Sequence, residues 1–156
     1  MEQKILVAVD DSENAMRAVE FMAKYFTSDL KITLFSVILD TPAICDMDNP
    51  SLTPYFLAQQ AAFCTVEDQK KALVTEALQK AKERLLKAGF EEKNISIKTV
   101  GKKKGVARAI IDEATKGYDA IVMGRRGLSG IKEFLLGSIS QKVVQSAEGV
   151  SVLLVD

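Results

Sequence analysis

Histidine is absent from this 156-residue chain. Without an imidazole there is no Ser-His-Asp triad, no Cys-His pair, no histidine-ligated zinc and no ordinary general base near neutral pH. Cysteine is confined to Cys45 and Cys64. Two thiols are too few for a four-thiolate metal site or a disulfide framework, so a reducing cytoplasm is the expected compartment. No run approaches the ~20 apolar residues that a bilayer span needs. The opening, Ile5 to Val9 with Asp10 and Asp11 directly behind it, lacks the layout of a secretory signal. Excess charge is missing too: the net charge is zero. A nucleic-acid partner would favour a basic surplus, and Lys102, Lys103 and Lys104 read as a solvated loop. Neither a membrane nor a nucleic acid is therefore expected as a partner.

The residues present alternate between short β-branched runs and stretches of helical period. Ile5 to Val9 is a continuous apolar run, as in a strand buried on both faces. Ser12 stands where a helix cap belongs, and Ala15, Ala18, Val19, Met22 and Phe26 then share one helical face. Ile32 to Leu39 predicts a second strand. Residues 40–64 hold all three prolines, Pro42, Pro50 and Pro54, and predict an irregular excursion in which Tyr55, Phe56, Leu57 and Phe63 pack as a short helix. Val66 to Ala88 predicts a second long helix, stopped by Gly89. A third strand over Ile95–Val100, a helix over Val106–Ala114, a fourth strand over Ala120–Met123, a helix over Ser138–Ser146 and a strand over Val150–Val155 complete the order. With no break in composition and no repeat, this is one domain, 1–156. It is of the α/β class, with a five-stranded parallel sheet, doubly wound and Rossmann-like, helices on both faces. Ligands of such sheets bind beyond the carboxyl ends of the strands, where the strand order reverses.

Past the fourth strand, Gly124, Gly127 and Gly130 fall within seven residues, and Gly137-Ser138 precedes a helix. Glycine lets a ligand reach backbone amides, and a helix N-terminus offers free N–H groups with partial positive charge. Ser138 and Ser140 bring hydroxyls to the same place. An anion cradle is one reading; a tight turn with a plain N-cap at Ser138 is the other. Neither a Walker A loop nor a GxGxxG after the first strand is present. Arg125 and Arg126 read as exposed loop charges before they read as phosphate clamps.

The arrangement Gly124-x2-Gly127-x9-Gly137-Ser138, the opening Ile5 to Ser12 with its Asp10, and Tyr118 to Gly124 resemble the ATP-binding branch of the universal stress protein family. The resemblance runs essentially end to end. It implies the strand order 3-2-1-4-5, with Asp10 opposite Gly124 across the switch point. It further implies ATP as ligand, with adenine near Ala8, Asp10 and Val37 and with Met123 and Gly124 lining the adenosine. Gly127, Gly137, Ser138, Ile139 and Ser140 would hold ribose and phosphates. Mg²⁺ or Mn²⁺ would be held mainly through phosphate oxygens and water. A homodimer paired through the terminal strand 150–155 is implied as well, and that strand's exposed apolar edge invites such pairing. Ser129 and Ser140 are candidate phosphoacceptors on the same resemblance. Departures are Ser36, where many members carry histidine, and Gly149-Val150-Ser151, where a proline is common. The expected function is a nucleotide-responsive stress or regulatory protein, with a protein partner not identified by the sequence. A slow ATPase and a nucleotide-free dimeric module are the alternatives.

Overall fold

The computed structural model describes residues 2–38, 45, 53–101, 104–125 and 136–156. The elements run β1 (Lys4–Ala8), α1 (Glu13–Tyr25), β2 (Lys31–Ile38), α2 (Pro54–Lys87), β3 (Ile95–Gly101), α3 (Val106–Ala114), β4 (Ala120–Gly124), α4 (Ser138–Ser146) and β5 (Ser151–Val155). A single turn of 3₁₀ helix, Glu92–Asn94, leads into β3. The strands form a five-stranded sheet in the order β3-β2-β1-β4-β5, and every adjacent pair is parallel. The expected order 3-2-1-4-5 is therefore the observed one. β3 and β5 are the edges.

Strand alternation decides which residues meet which helices. Ile5 and Val7 of β1, Ile32 and Leu34 of β2 and Val122 of β4 point to one layer, where they meet Ala15, Ala18, Val19 and Met22 of α1 and Ala77, Leu78, Ala81 and Leu85 of α2. Leu6, Phe35, Ile121 and Met123 point to the other, where they meet Ala107, Ile110 and Ala114 of α3 and Val143 of α4. Both faces of the central strands are covered, which is why β1 is a continuous apolar run rather than an alternating one.

Two expectations are corrected. Residues 54–64 do not belong to an irregular excursion: they are the first turns of α2, which continues without interruption to Lys87. Pro54 sits in the first helical turn, where its missing N–H costs nothing, and the Thr53 hydroxyl caps the helix by accepting from the Phe56 N–H at 3.2 Å. The rest of the predicted excursion, apart from Cys45, lies outside the described residues. The second correction concerns the thiols. Cys45 and Cys64 form a disulfide, with Cα atoms 5.9 Å apart. A cysteine count of two therefore does not by itself argue for a reducing compartment. No helix among the described residues is long and apolar enough to cross a membrane.

Candidate functional site

The carboxyl ends of β1, β2 and β4 and the N-termini of α3 and α4 surround a crevice of ≈ 280 Å³. Of the ten residues named from the sequence, nine line it: Ala8 and Asp10 after β1, Val37 of β2, Met123 and Gly124 of β4, and Gly137, Ser138, Ile139 and Ser140 at the start of α4. Gly127 lies outside the described residues, as do Arg126 and Ser129. The sequence reading of the site missed Val9, Ser12 and Ala15 around Asp10, Phe35 and Ser36 on β2, and the wall formed by Val106 and Ile110 on α3. The signal for that wall was Gly105 directly ahead of Val106. It holds φ +97°, a conformation that glycine adopts without strain, and it starts α3 at the crevice rim.

The polar groups divide into those already engaged and those that are not. The Asp10 carboxylate accepts the Ser12 N–H at 2.9 Å, and the Ser12 hydroxyl accepts the Ala15 N–H at 3.2 Å, so the two residues together launch α1. One oxygen of Asp10 is spent in this way; the residue still lines the crevice. Ser140 is buried, and its hydroxyl donates to the Gly124 carbonyl at 3.0 Å, tying α4 to the end of β4. That engagement and burial weigh against Ser140 as a phosphoacceptor. Gly124 is demanded by packing: a Cβ there would lie 2.8 Å from the Asn14 carbonyl oxygen, so glycine lets α1 approach the strand. Arg125 fixes the same corner. Its N–H donates to the Val155 carbonyl, its carbonyl accepts the Gly137 N–H, and its guanidinium pairs with Asp156 at 3.2 Å. It is a structural tie as placed, facing the sheet edge.

The helix N-termini are not all capped in the same way. α1, which also starts at the crevice, and α2 are capped by the side chains of Ser12 and Thr53. α3 and α4, which start on the crevice, have glycines at the cap, Gly105 and Gly137, and no side-chain cap. The first-turn N–H groups of a helix have no intrahelical acceptor, so these two ends offer donors and partial positive charge to the crevice, with no side-chain cap among the described residues. Ser138 and Ile139, at the head of α4, are exposed. No cluster of His, Cys, Asp or Glu able to hold a metal ion occurs among the described residues.

A doubly wound sheet with an open crevice at its switch point and uncapped helix ends on that crevice defines an α/β ligand-binding domain. The profile of the universal stress protein family matches residues 1–156, and the chain belongs to that family. The universal stress protein YxiE of Bacillus subtilis is 30% identical over 146 residues, 93% of each chain. Solved structures give the same fold. A universal stress protein in complex with cAMP superposes with a TM-score of 0.65 at 22% identity, covering 99% of this chain and 97% of that one. The universal stress protein from Archaeoglobus fulgidus in complex with dAMP gives 0.60 at 18% identity, covering 100% and 98%.

Proposed function

We propose that this chain binds ATP in the crevice and acts as a nucleotide-responsive regulatory protein of the stress response. The observation that carries the reading is at the crevice rim: α3 and α4 begin there at Gly105 and Gly137 with no capping side chain, whereas α1, which also begins there, is capped by Ser12. An anion is what an uncapped N-terminus binds best. The apolar lining of Ala8, Val37, Ile110 and Met123 suits a base and sugar, and the volume lies near the lower end of ligand pockets, about 300–1,000 Å³. The base and ribose would fill the crevice and the phosphates would reach the rim at Gly137, Ser138 and Ile139. The two relatives of this fold solved with cAMP and dAMP support an adenine nucleotide. Mg²⁺ or Mn²⁺ would be held by phosphate oxygens and water, with Asp10 the one carboxylate that lines the crevice among the described residues.

Calorimetric titration of the full chain with ATP, AMP and adenosine tests this. In Ser138→Asp, a carboxylate at the start of α4 suits the helix dipole and repels a phosphate. ATP affinity should fall about tenfold or more, about 1.4 kcal/mol, while adenosine affinity holds. No heat with ATP in the folded wild-type protein would leave a nucleotide-free module as the better reading.

The same proposal includes a two-fold homodimer through β5. This edge strand presents half-buried Val152, Leu153 and Leu154, and an open apolar edge invites pairing. Leu153→Lys should halve the mass contributed by that contact in light scattering; an unchanged mass would count against it.

A further inference from the structure

The family's nucleotide crevice leaves α2 unexplained. Its C-terminal part holds to the domain, through Ala77, Leu78, Ala81 and Leu85 with half-buried Val74 at the margin; from Pro54 to Glu76 no residue is fully buried. That length of helix, about 33 Å at 1.5 Å per residue, carries six of the eleven exposed large apolar side chains among the described residues, with Tyr55 at 76%, Leu73 at 50% and Val66 at 47%. From Pro54 to Val66 it has no charged residue at all.

One face of this stretch has an order that the helix does not need for its own fold. Tyr55, Gln59, Ala62, Val66, Gln69 and Leu73 are all exposed, and their spacings are 4, 3, 4, 3 and 4. That is a 3.5-residue period, the seam of a left-handed coiled coil. The seam is also symmetric in sequence about position 64. In an antiparallel pairing centred there, Tyr55 of one copy meets Leu73 of the other, Gln59 meets Gln69, and Ala62 meets Val66. Apolar residues thus fall on apolar ones, small on medium, and amide on amide. A polar layer of this kind fixes register at some cost in stability. The flank formed by Ala58, Thr65 and Ala72 is small and uncharged, so nothing on it repels its own copy. A hetero-partner would have no use for this symmetry, whereas a two-fold axis requires it.

The disulfide fits the same geometry. Cys64 lies nine residues from both Tyr55 and Leu73, half a turn around the helix from the seam. Gln60, Cys64 and Glu67, the only residues between Pro54 and Leu73 that are half-buried rather than exposed, cluster on that far side. The link to Cys45 is therefore made behind the seam, and the seam faces outward.

We propose that the projecting half of α2 pairs with the same segment of a second copy as an antiparallel coiled coil, forming a second two-fold interface separate from the β5 edge. With Phe56 and Phe63 alongside, the seam offers on the order of 500 Å² of apolar side chain per copy, against about 800 Å² per partner in a stable interface. The contact is accordingly moderate in strength and belongs at high protein concentration.

Sedimentation equilibrium of the full chain at about 100 µM reads it, a concentration chosen for an interface below the stable size. Four proteins are compared: wild type, Leu153→Lys, Val66→Glu with Leu73→Glu, and the combination of all three. Far-UV circular dichroism checks each fold. Leu153→Lys should retain a dimer that the triple variant loses. Equal masses for Leu153→Lys and the triple variant overturn the proposal, whatever wild type does; the β5 contact is read separately, from wild type against Leu153→Lys. A melting temperature lowered by Val66→Glu and Leu73→Glu in a Leu153→Lys background diluted to about 1 µM, where neither contact is populated, also overturns it, since the seam would then be covered from within its own chain. Register is read by oxidation. Gln59→Cys with Gln69→Cys should give a covalent dimer on a non-reducing gel where Gln59→Cys alone does not, and equal cross-linking of the two overturns the antiparallel arrangement.

Discussion

On one side of the sheet, α1 and α2 close a layer made of aliphatic side chains: Val19, Met22, Leu78, Ala81 and Leu85 against Ile5, Val7, Ile32 and Leu34. On the other side, α3 and α4 cover Leu6, Phe35 and Ile121 with shorter helices and admit a charge. Glu113 of α3 is 4% exposed, yet its carboxylate binds the Lys98 and Lys116 ammonium groups at 2.9 Å and accepts the Tyr118 hydroxyl at 3.2 Å. Tyr118 in turn lies 3.1 Å from the Thr33 hydroxyl of β2. A buried carboxylate is tolerated because every oxygen is paired. The crevice opens between the same α3 and α4. Shape and hydrophobicity hold the first face, and the second face is held partly by electrostatics around a site that must stay open.

The comparison breaks most sharply at Leu85, which is fully buried between α2 and the sheet. Leu85→Ala should cost about 2–5 kcal/mol through lost transfer free energy and the cavity left behind. Because no titrating group lies in that aliphatic layer among the described residues, the loss should be the same at pH 4 and pH 7 in urea unfolding. A loss that varied with pH would mean that the two faces are not independent.

Glu113 gives the opposite signature on the other face. Burial alone would raise its carboxyl pKa, but the Lys116 and Lys98 ammonium groups outweigh burial and hold it below the ordinary value of 4.5. A carboxyl depressed in the folded state stabilises the fold above its unfolded pKa. That contribution disappears as pH falls through the lower folded value. Lys98 and Lys116 are themselves 40% and 59% exposed, so water screens the pairs. Glu113→Gln should therefore cost about 1–2 kcal/mol at neutral pH. The difference from wild type should be flat above pH 5 and shrink below pH 4.5 in thermal melts. A constant difference down to pH 3 would assign the effect to packing.

Much of this contrast was legible in the sequence, and the failures have physical causes. α3 and α4 fall on the residues that periodicity marks, because each is a short amphipathic segment bounded by glycine: Gly105 and Gly137 before, Gly117 and Gly149 after. The start of α2 was misread because Pro54 interrupts a helix anywhere but its first turn, and the Thr53 cap becomes visible only once the turn is formed. Ser140 looked like a ligand donor, but as the third residue of α4 it reaches back to the Gly124 carbonyl. Gly124 looked like a place for ligand approach, but the constraint comes from Asn14 on a distant helix. Each of these depends on what a residue meets across the fold, which its sequence neighbours do not encode. The same holds for the Cys45–Cys64 bond.

The smallest expected effect is the one that separates α2 into two parts. Leu73 and Leu85 lie on one continuous helix, twelve residues apart, and helix propensity is the same for both substitutions. Leu73 is 50% exposed and Leu85 is fully buried. Truncating Leu73 removes no enclosed packing, and alanine is the better helix former, so Leu73→Ala should change stability by less than about 0.5 kcal/mol. The measurement belongs at about 1 µM, where association through the exposed seam does not add mass-action stability. At that concentration a loss approaching that of Leu85→Ala would mean that the first half of α2 is folded onto the domain after all. A loss that grows with protein concentration would instead locate the role of Leu73 between copies, where a leucine exposed on the monomer has a physical reason to be.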